Sequence, residues 1–128
     1  MKSNSYERYK RLIDSSQVYD VADISPISRA NLLSKKLKNE ILLKREDLQP
    51  IFSFKIRGAY NKLAKLKKSG FSGSVIAASA GNHAQGVAYG AKSLKLKALI
   101  VMPITTPAIK VDSVKNYGVA GSIVIITD

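Results

Sequence analysis

Three short stretches carry side chains whose types and spacing could do chemistry. The first is SFKIRGAY at 53–60. Lys55 falls in the opening turn of a helix that the apolar spacing predicts. The positive end of that helix disfavours an ammonium there, and partial burial between Phe54 and Ile56 would act in the same direction. An amine must be neutral to attack a carbonyl carbon, so Lys55 reads as a Schiff-base nucleophile. The plainer alternative is a solvated lysine near a helix start. The second stretch is SAGNH at 79–83, between an apolar strand and a helix. A strand-to-helix loop containing Gly81 offers backbone N–H groups to a carboxylate or phosphate. Asn82 could donate from its amide to a phenolate-type oxygen; Ser79 or Asn82 could equally just cap the helix. His83 is the one histidine, a poor basis for a metal site or triad, and is expected to hold the loop by hydrogen bonding. The third is MPITTP at 102–107, stiffened by two prolines. It is either a ligand-facing strand end or a rigid connection.

The elements that must position these residues follow from periodicity. An amphipathic helix is predicted over 5–15, a turn or extended entry over 23–26, and a helix from 28 or 29 to 37, ended by Lys38 and Asn39. A short strand over 40–45 leads to a loop over 46–53 broken by Pro50. The helix over 54–68 has Ile56, Tyr60, Leu63 and Leu66 at helical spacing, Ser53 as cap and Gly70 as stop. A strand over 74–78 precedes a helix over 82–94, with Ala84, Val87, Ala88 and Ala91 as one small-residue face. A strand over 98–102, a helix over 108–117 ended by Gly118, and an apolar run over 122–126 complete the chain. Continuous apolar strands alternating with helices imply an α/β fold, a parallel sheet covered on both faces.

Composition narrows the function. The 128 residues suit one domain, and no cysteine is present, which removes disulfides, thiolate metal sites and a cysteine nucleophile. No run reaches the roughly 18–20 apolar residues of a membrane span, and the polar start points to a cytosolic protein. The net charge of +12 raises nucleic-acid binding. However, the lysines at 62, 65, 67, 68, 92, 95 and 97 alternate with apolar residues on or just after helices, as solvated faces do. Aromatic rings are not interleaved with them. Glu46 and Asp47 are adjacent carboxylates, and one is expected to pair with Arg45 or Arg57. Neither a GxGxxG fingerprint nor a GxxxxGK[ST] loop occurs.

Taken together, KREDLQP at 44–50, SFKIRGA at 53–59, ASAGNHAQGV at 78–87 and VMPITTP at 101–107 with IKV at 109–111 resemble the start of the biosynthetic threonine dehydratases. These are fold-type II pyridoxal-phosphate (PLP) enzymes. The likeness covers roughly residues 6 to 118. It implies that Lys55 forms the Schiff base with PLP, that Phe54 packs near the cofactor ring and that Asn82 bonds the ring oxygen. It also implies that Ser79, Ala80 and Gly81, with Asn82 and His83, receive the substrate carboxylate. Serine racemases, a related branch, tend to carry a second serine in this loop, and Ala80 leans away from racemisation.

The implied reaction is deamination of L-threonine to 2-oxobutanoate and ammonia, the committed step towards isoleucine, with L-serine as a second candidate substrate; it is catalysed by a homo-oligomer that binds neither nucleic acid nor membrane. The family's glycine-rich phosphate loop, pyridine-nitrogen partner and regulatory domain belong later in such chains, and residues 119–128 diverge from the family pattern. Residues 1–128 are therefore expected to be an incomplete amino-terminal part of a PLP-dependent catalytic domain. The alternative is a truncated, catalytically inactive product.

Overall fold

The computed structural model describes residues 5–117 and the backbone of 123–127. The elements run α1 (Ser5–Asp14), β1 (Ile27–Arg29), α2 (Asn31–Leu37), β2 (Leu42–Lys44), α3 (Lys55–Lys68), β3 (Ser74–Ala78), α4 (Asn82–Ser93), β4 (Lys97–Pro103), α5 (Ala108–Tyr117) and β5 (Ile123–Thr127). Short 3₁₀ turns occupy Val18–Asp20 and Glu46–Leu48. Gly118, the expected stop of α5, lies outside the described residues.

From α3 onward the sequence periods and the elements agree closely. Ile56, Tyr60 and Leu63 are buried along α3, and Ala84, Val87, Ala88 and Ala91 along α4. Gly70 closes α3 at φ +87°, a backbone conformation that glycine adopts without Cβ strain. Earlier in the chain one expectation fails. The helix predicted from residue 28 or 29 is first a strand, β1, which pairs antiparallel with β2 from Ile27↔Lys44 to Arg29↔Leu42. The helix begins only at Asn31. Local helix propensity at 28–30 yields to the ladder that β2 supplies, and the ladder extends to Ala30 N–H donating to Ile41 O at 2.9 Å.

The main sheet is parallel, in the order β3-β4-β5, with Ser74↔Lys97 and Leu99↔Ile123 setting its register. Right-handed crossovers that step along a sheet without reversing place their helices on one face. Accordingly α4 and α5 share one face. Their buried residues close a core with Ala98, Ile100 and Met102 of β4 and with Ala59 and Leu63 of α3. The expected covering of both faces is corrected: among the described residues all the helical packing lies on that one side. On the other, Ile76 is 70% exposed, with Ser74 and Ala78 exposed beside it. The period-2 pattern in β3 follows from this one-sided burial.

A smaller cluster of Ala22, Ile51 and Ile56 joins the segment before α3 to the body. Tyr117 donates to Pro50 O at 3.0 Å and meets Tyr89 edge-on at 5.7 Å. Buried Tyr60 donates to Asp20 at 2.9 Å. Burial first, then that hydrogen bond, pushes its phenol up to about 12. The lysines at 62, 65, 67, 68, 92, 95 and 97 stand on exposed positions, as their alternation with apolar residues requires.

Candidate active site

The site is built where three helices begin. Two glycines show how α3 meets α4. A Cβ on Gly86 would lie 3.1 Å from the carbonyl oxygen of Lys55 and 3.1 Å from Ala59 Cβ, and one on Gly90 would lie 3.1 Å from Leu63 Cδ1 and 3.5 Å from Tyr60 Cα. The partners advance together along both helices, so α3 and α4 run parallel and start at the same end. The start of α5 joins them, because Lys110 in its opening turn donates to Asn82 Oδ1 at 3.1 Å. Three helix N-termini, each equivalent to roughly half a positive charge, thus gather at the carboxyl ends of β3 and β4. In open α/β sheets that is where ligands bind.

Lys55 opens α3, and its backbone N–H donates to buried Ser53 Oγ at 3.2 Å. The expected cap is corrected: Phe54, not Ser53, is the N-cap of α3, with no side-chain cap bond, and the Ser53 hydroxyl only accepts from the first helical N–H. The Lys55 side chain enters a cavity of about 270 Å³ lined by Phe54, Lys55, Gly58, Ala59 and His83. Its Nζ lies 5.4 Å from the Phe54 ring centroid. The expected partial burial between Phe54 and Ile56 is not found: Ile56 is fully buried, whereas Phe54 is 58% exposed and Lys55 is exposed. Residue 56 takes the core-facing direction with 59 and 60, which leaves 55 on the cavity side.

The loop before α4 is held from within. Ser79 N–H extends the sheet by donating to Val101 O at 3.0 Å, and Ser79 Oγ accepts from Gly81 N–H at 3.3 Å. The expectation that Ser79 or Asn82 caps α4 fails, since its cap is Gly81 with no side-chain bond. The opening N–H groups of α4 are left without a side-chain acceptor, and in ordinary helices such groups seek one. Ala80 is exposed on this loop. His83 makes no hydrogen bond to a described residue, contrary to the expected loop-holding role, and faces the Lys55 cavity instead. In the MPITTP segment Thr106 is buried, with its Oγ1 unpartnered among the described residues.

A half-buried ion pair steadies α3 from the other side. Arg57 Nε and Nη2 reach Glu46 Oε2 and Oε1 at 2.8 and 2.9 Å, and Ser25 Oγ donates to Glu46 Oε1 at 2.5 Å. The Arg57 hydrogen bond, aided by Ser25, holds the Glu46 carboxyl down at about 2. Asp47 pairs with Arg45 at 2.6 Å, so both carboxylates have partners where one was expected. A larger hollow of about 760 Å³ lies under α1, lined by Tyr9, Tyr19, Arg57 and Lys65 among others. It is a gap beneath a helix with no buried residue, and the groups with chemistry lie elsewhere.

The donor set has a definite character: a primary amine, a neighbouring aromatic ring, open helix N–H groups and an amide whose Nδ2 has no described partner. It suits an anionic aldehyde bearing a ring oxygen, and pyridoxal phosphate is such a molecule. Two residues escaped sequence reasoning. Gly86 is a glycine inside a helix, and Lys110 is a cation in a helix's first turn, against the dipole. Either violation of a local rule could have marked it.

Fold and donor set together define a carbonyl-cofactor enzyme of the α/β class. The chain belongs to the pyridoxal-phosphate-dependent enzyme family, whose model matches residues 20–127, and its cofactor is pyridoxal 5′-phosphate. It is 53% identical over 118 residues to the mitochondrial threonine dehydratase of Saccharomyces cerevisiae, covering 92% of this chain and 20% of that protein. It is 54% identical over 110 residues to the biosynthetic L-threonine dehydratase of Pasteurella multocida, covering 86% and 21%. The processed form of threonine deaminase isoform 2 from Solanum lycopersicum superimposes with a TM-score of 0.86 at 46% identity, over 99% of this chain and 36% of that one. The chain thus spans about a fifth of the length of the curated relatives it matches.

Proposed function

We propose that the protein is a threonine dehydratase, converting L-threonine to 2-oxobutanoate and ammonia, and that residues 1–128 are the amino-terminal part of its catalytic domain. The observation that carries this reading is Lys55 at the meeting of three helix starts, in one cavity with Phe54 and His83. Lys55 Nζ would be the group that holds the cofactor, and its free amine would take the proton from substrate Cα. When bound, pyridoxal phosphate supplies the electron sink that makes that proton removable. Asn82 Nδ2 would donate to the cofactor ring oxygen, and Phe54 would pack beside the ring. The loop of Ser79, Ala80 and Gly81, with the N–H groups of Asn82 and His83, receives the substrate carboxylate on the positive end of α4. Departure of the threonine β-hydroxyl and hydrolysis then give the oxo acid and ammonia. The reading extends to isoleucine biosynthesis as pathway, on the likeness to relatives named biosynthetic, and to the cytosol as compartment and a homo-oligomer as assembled state as further parts of the same proposal.

The test is ammonia and 2-oxobutanoate release from L-threonine by the full-length protein with pyridoxal phosphate. Lys55→Ala is expected to lower turnover by roughly a thousandfold or more, in the range a positioned proton acceptor supplies. Turnover that survives Lys55→Ala, or release from neither threonine nor serine, refutes the reading.

A further inference from the structure

We propose that Lys110 is a positioning residue, which fixes the Asn82 carboxamide so that its donor end is the end offered to the cofactor ring oxygen. The inference rests on the site reading above. An asparagine amide has two faces of opposite polarity, an acceptor oxygen and a donor nitrogen. Left alone at the exposed first position of α4, it could turn either way. An ammonium can only donate, so the bond from Lys110 Nζ to Oδ1 at 3.1 Å allows one orientation. That orientation leaves both hydrogens of Nδ2 free, with no partner among the described residues. A ring oxygen carrying negative charge needs that donor end.

The placement of Lys110 supports a purpose beyond folding. It sits in the opening turn of α5 and its ammonium meets the first residue of α4, so it lies near two positive helix ends. No carboxylate among the described residues lies within salt-bridge distance of it; the pairs present are Lys10–Asp14, Arg29–Glu40, Arg45–Asp47 and Arg57–Glu46. A cation set against two dipoles without a counter-ion is a local cost that its bond to Asn82 explains. Pro103 and Pro107 stiffen the turn that delivers it, and Lys110 N–H donates to Pro107 O at 2.9 Å.

The experiment is a double-mutant cycle on the full-length protein, read by equilibrium dialysis of pyridoxal phosphate and by the visible absorption band of the bound cofactor. Lys110→Met is expected to weaken cofactor binding roughly tenfold, the lower end for loss of a charge-assisted hydrogen bond. It should also move the band in the same direction as Asn82→Ala. Lys110→Arg, another donor-only cation, should restore both. In the Asn82→Ala background Lys110→Met should add nothing, because its effect runs through Asn82. An equal effect of Lys110→Met in both backgrounds, or an unmoved band, overturns this proposal alone. Failure of the unsubstituted protein to take up pyridoxal phosphate sinks the site reading and this proposal with it.

Discussion

Two glycines in adjoining helices should respond to the same substitution with opposite signs. Gly58 in α3 has no atom within 4 Å of where a Cβ would stand, whereas Gly86 in α4 would bring its Cβ to 3.1 Å from Lys55 O, 3.3 Å from Lys55 C and 3.1 Å from Ala59 Cβ. Alanine is favoured over glycine in a helix interior by about 1 kcal/mol. Gly58→Ala therefore should stabilise the protein by about 1 kcal/mol. At position 86 the same gain meets a contact against backbone, which cannot swing aside as a flexible side chain can. Overpacking of this kind costs about 1–3 kcal/mol, so Gly86→Ala should destabilise by about 1 kcal/mol net. The difference between the two variants is then about 2 kcal/mol. Relief can come only by moving α3 away from α4 by a few tenths of an ångström, and that movement carries Lys55 with it. Urea unfolding with unchanged m-values would report the stability change, and dialysis of pyridoxal phosphate the displacement of Lys55. If Gly86→Ala stabilised the protein as much as Gly58→Ala and left cofactor binding intact, the close approach beneath Lys55 would not exist as described.

The Glu46–Arg57 pair makes an acid-sensitive contribution. The folded-state Glu46 carboxyl lies at about 2, below its ordinary value of 4.5. Its stabilisation, on the order of 2 kcal/mol, is present above pH about 4.5 and lost as pH falls towards 2; Glu46→Gln should flatten stability across that window, and an unchanged acid limb would contradict the assignment. Thr106 Oγ1 is buried without a described partner. Thr106→Val keeps the shape and removes the orphan hydroxyl, so it should be neutral or stabilise by about 1 kcal/mol in a thermal melt; a clear loss would mean that the hydroxyl has a partner elsewhere.

Much of the architecture from α3 onward was legible because its signals are local and mutually consistent. The burial of Ala84, Val87, Ala88 and Ala91 on one face is a property of spacing alone, and Gly70 marks a helix end by its backbone freedom. The start of α2 was not legible, because β1 exists only through a partner thirteen or more residues away. The one-sided covering of the sheet follows from strand order, and a list of apolar runs does not contain strand order. At the site, Lys55 and Asn82 stand out by residue type and position, whereas the bond between Asn82 and Lys110 spans 28 residues and joins the starts of two different helices. The exposure of Lys55 and Phe54 was misjudged because flanking apolar residues do not reveal which way a helix turns.

The central claim is that the amine of Lys55 is the group that holds the cofactor. Borohydride reduction of the full-length protein loaded with pyridoxal phosphate, followed by proteolysis and mass mapping, tests it directly. A pyridoxyl mass on the peptide carrying Lys55, absent after Lys55→Ala, is the result expected. The label on any other lysine, with Lys55 unmodified, would contradict the account.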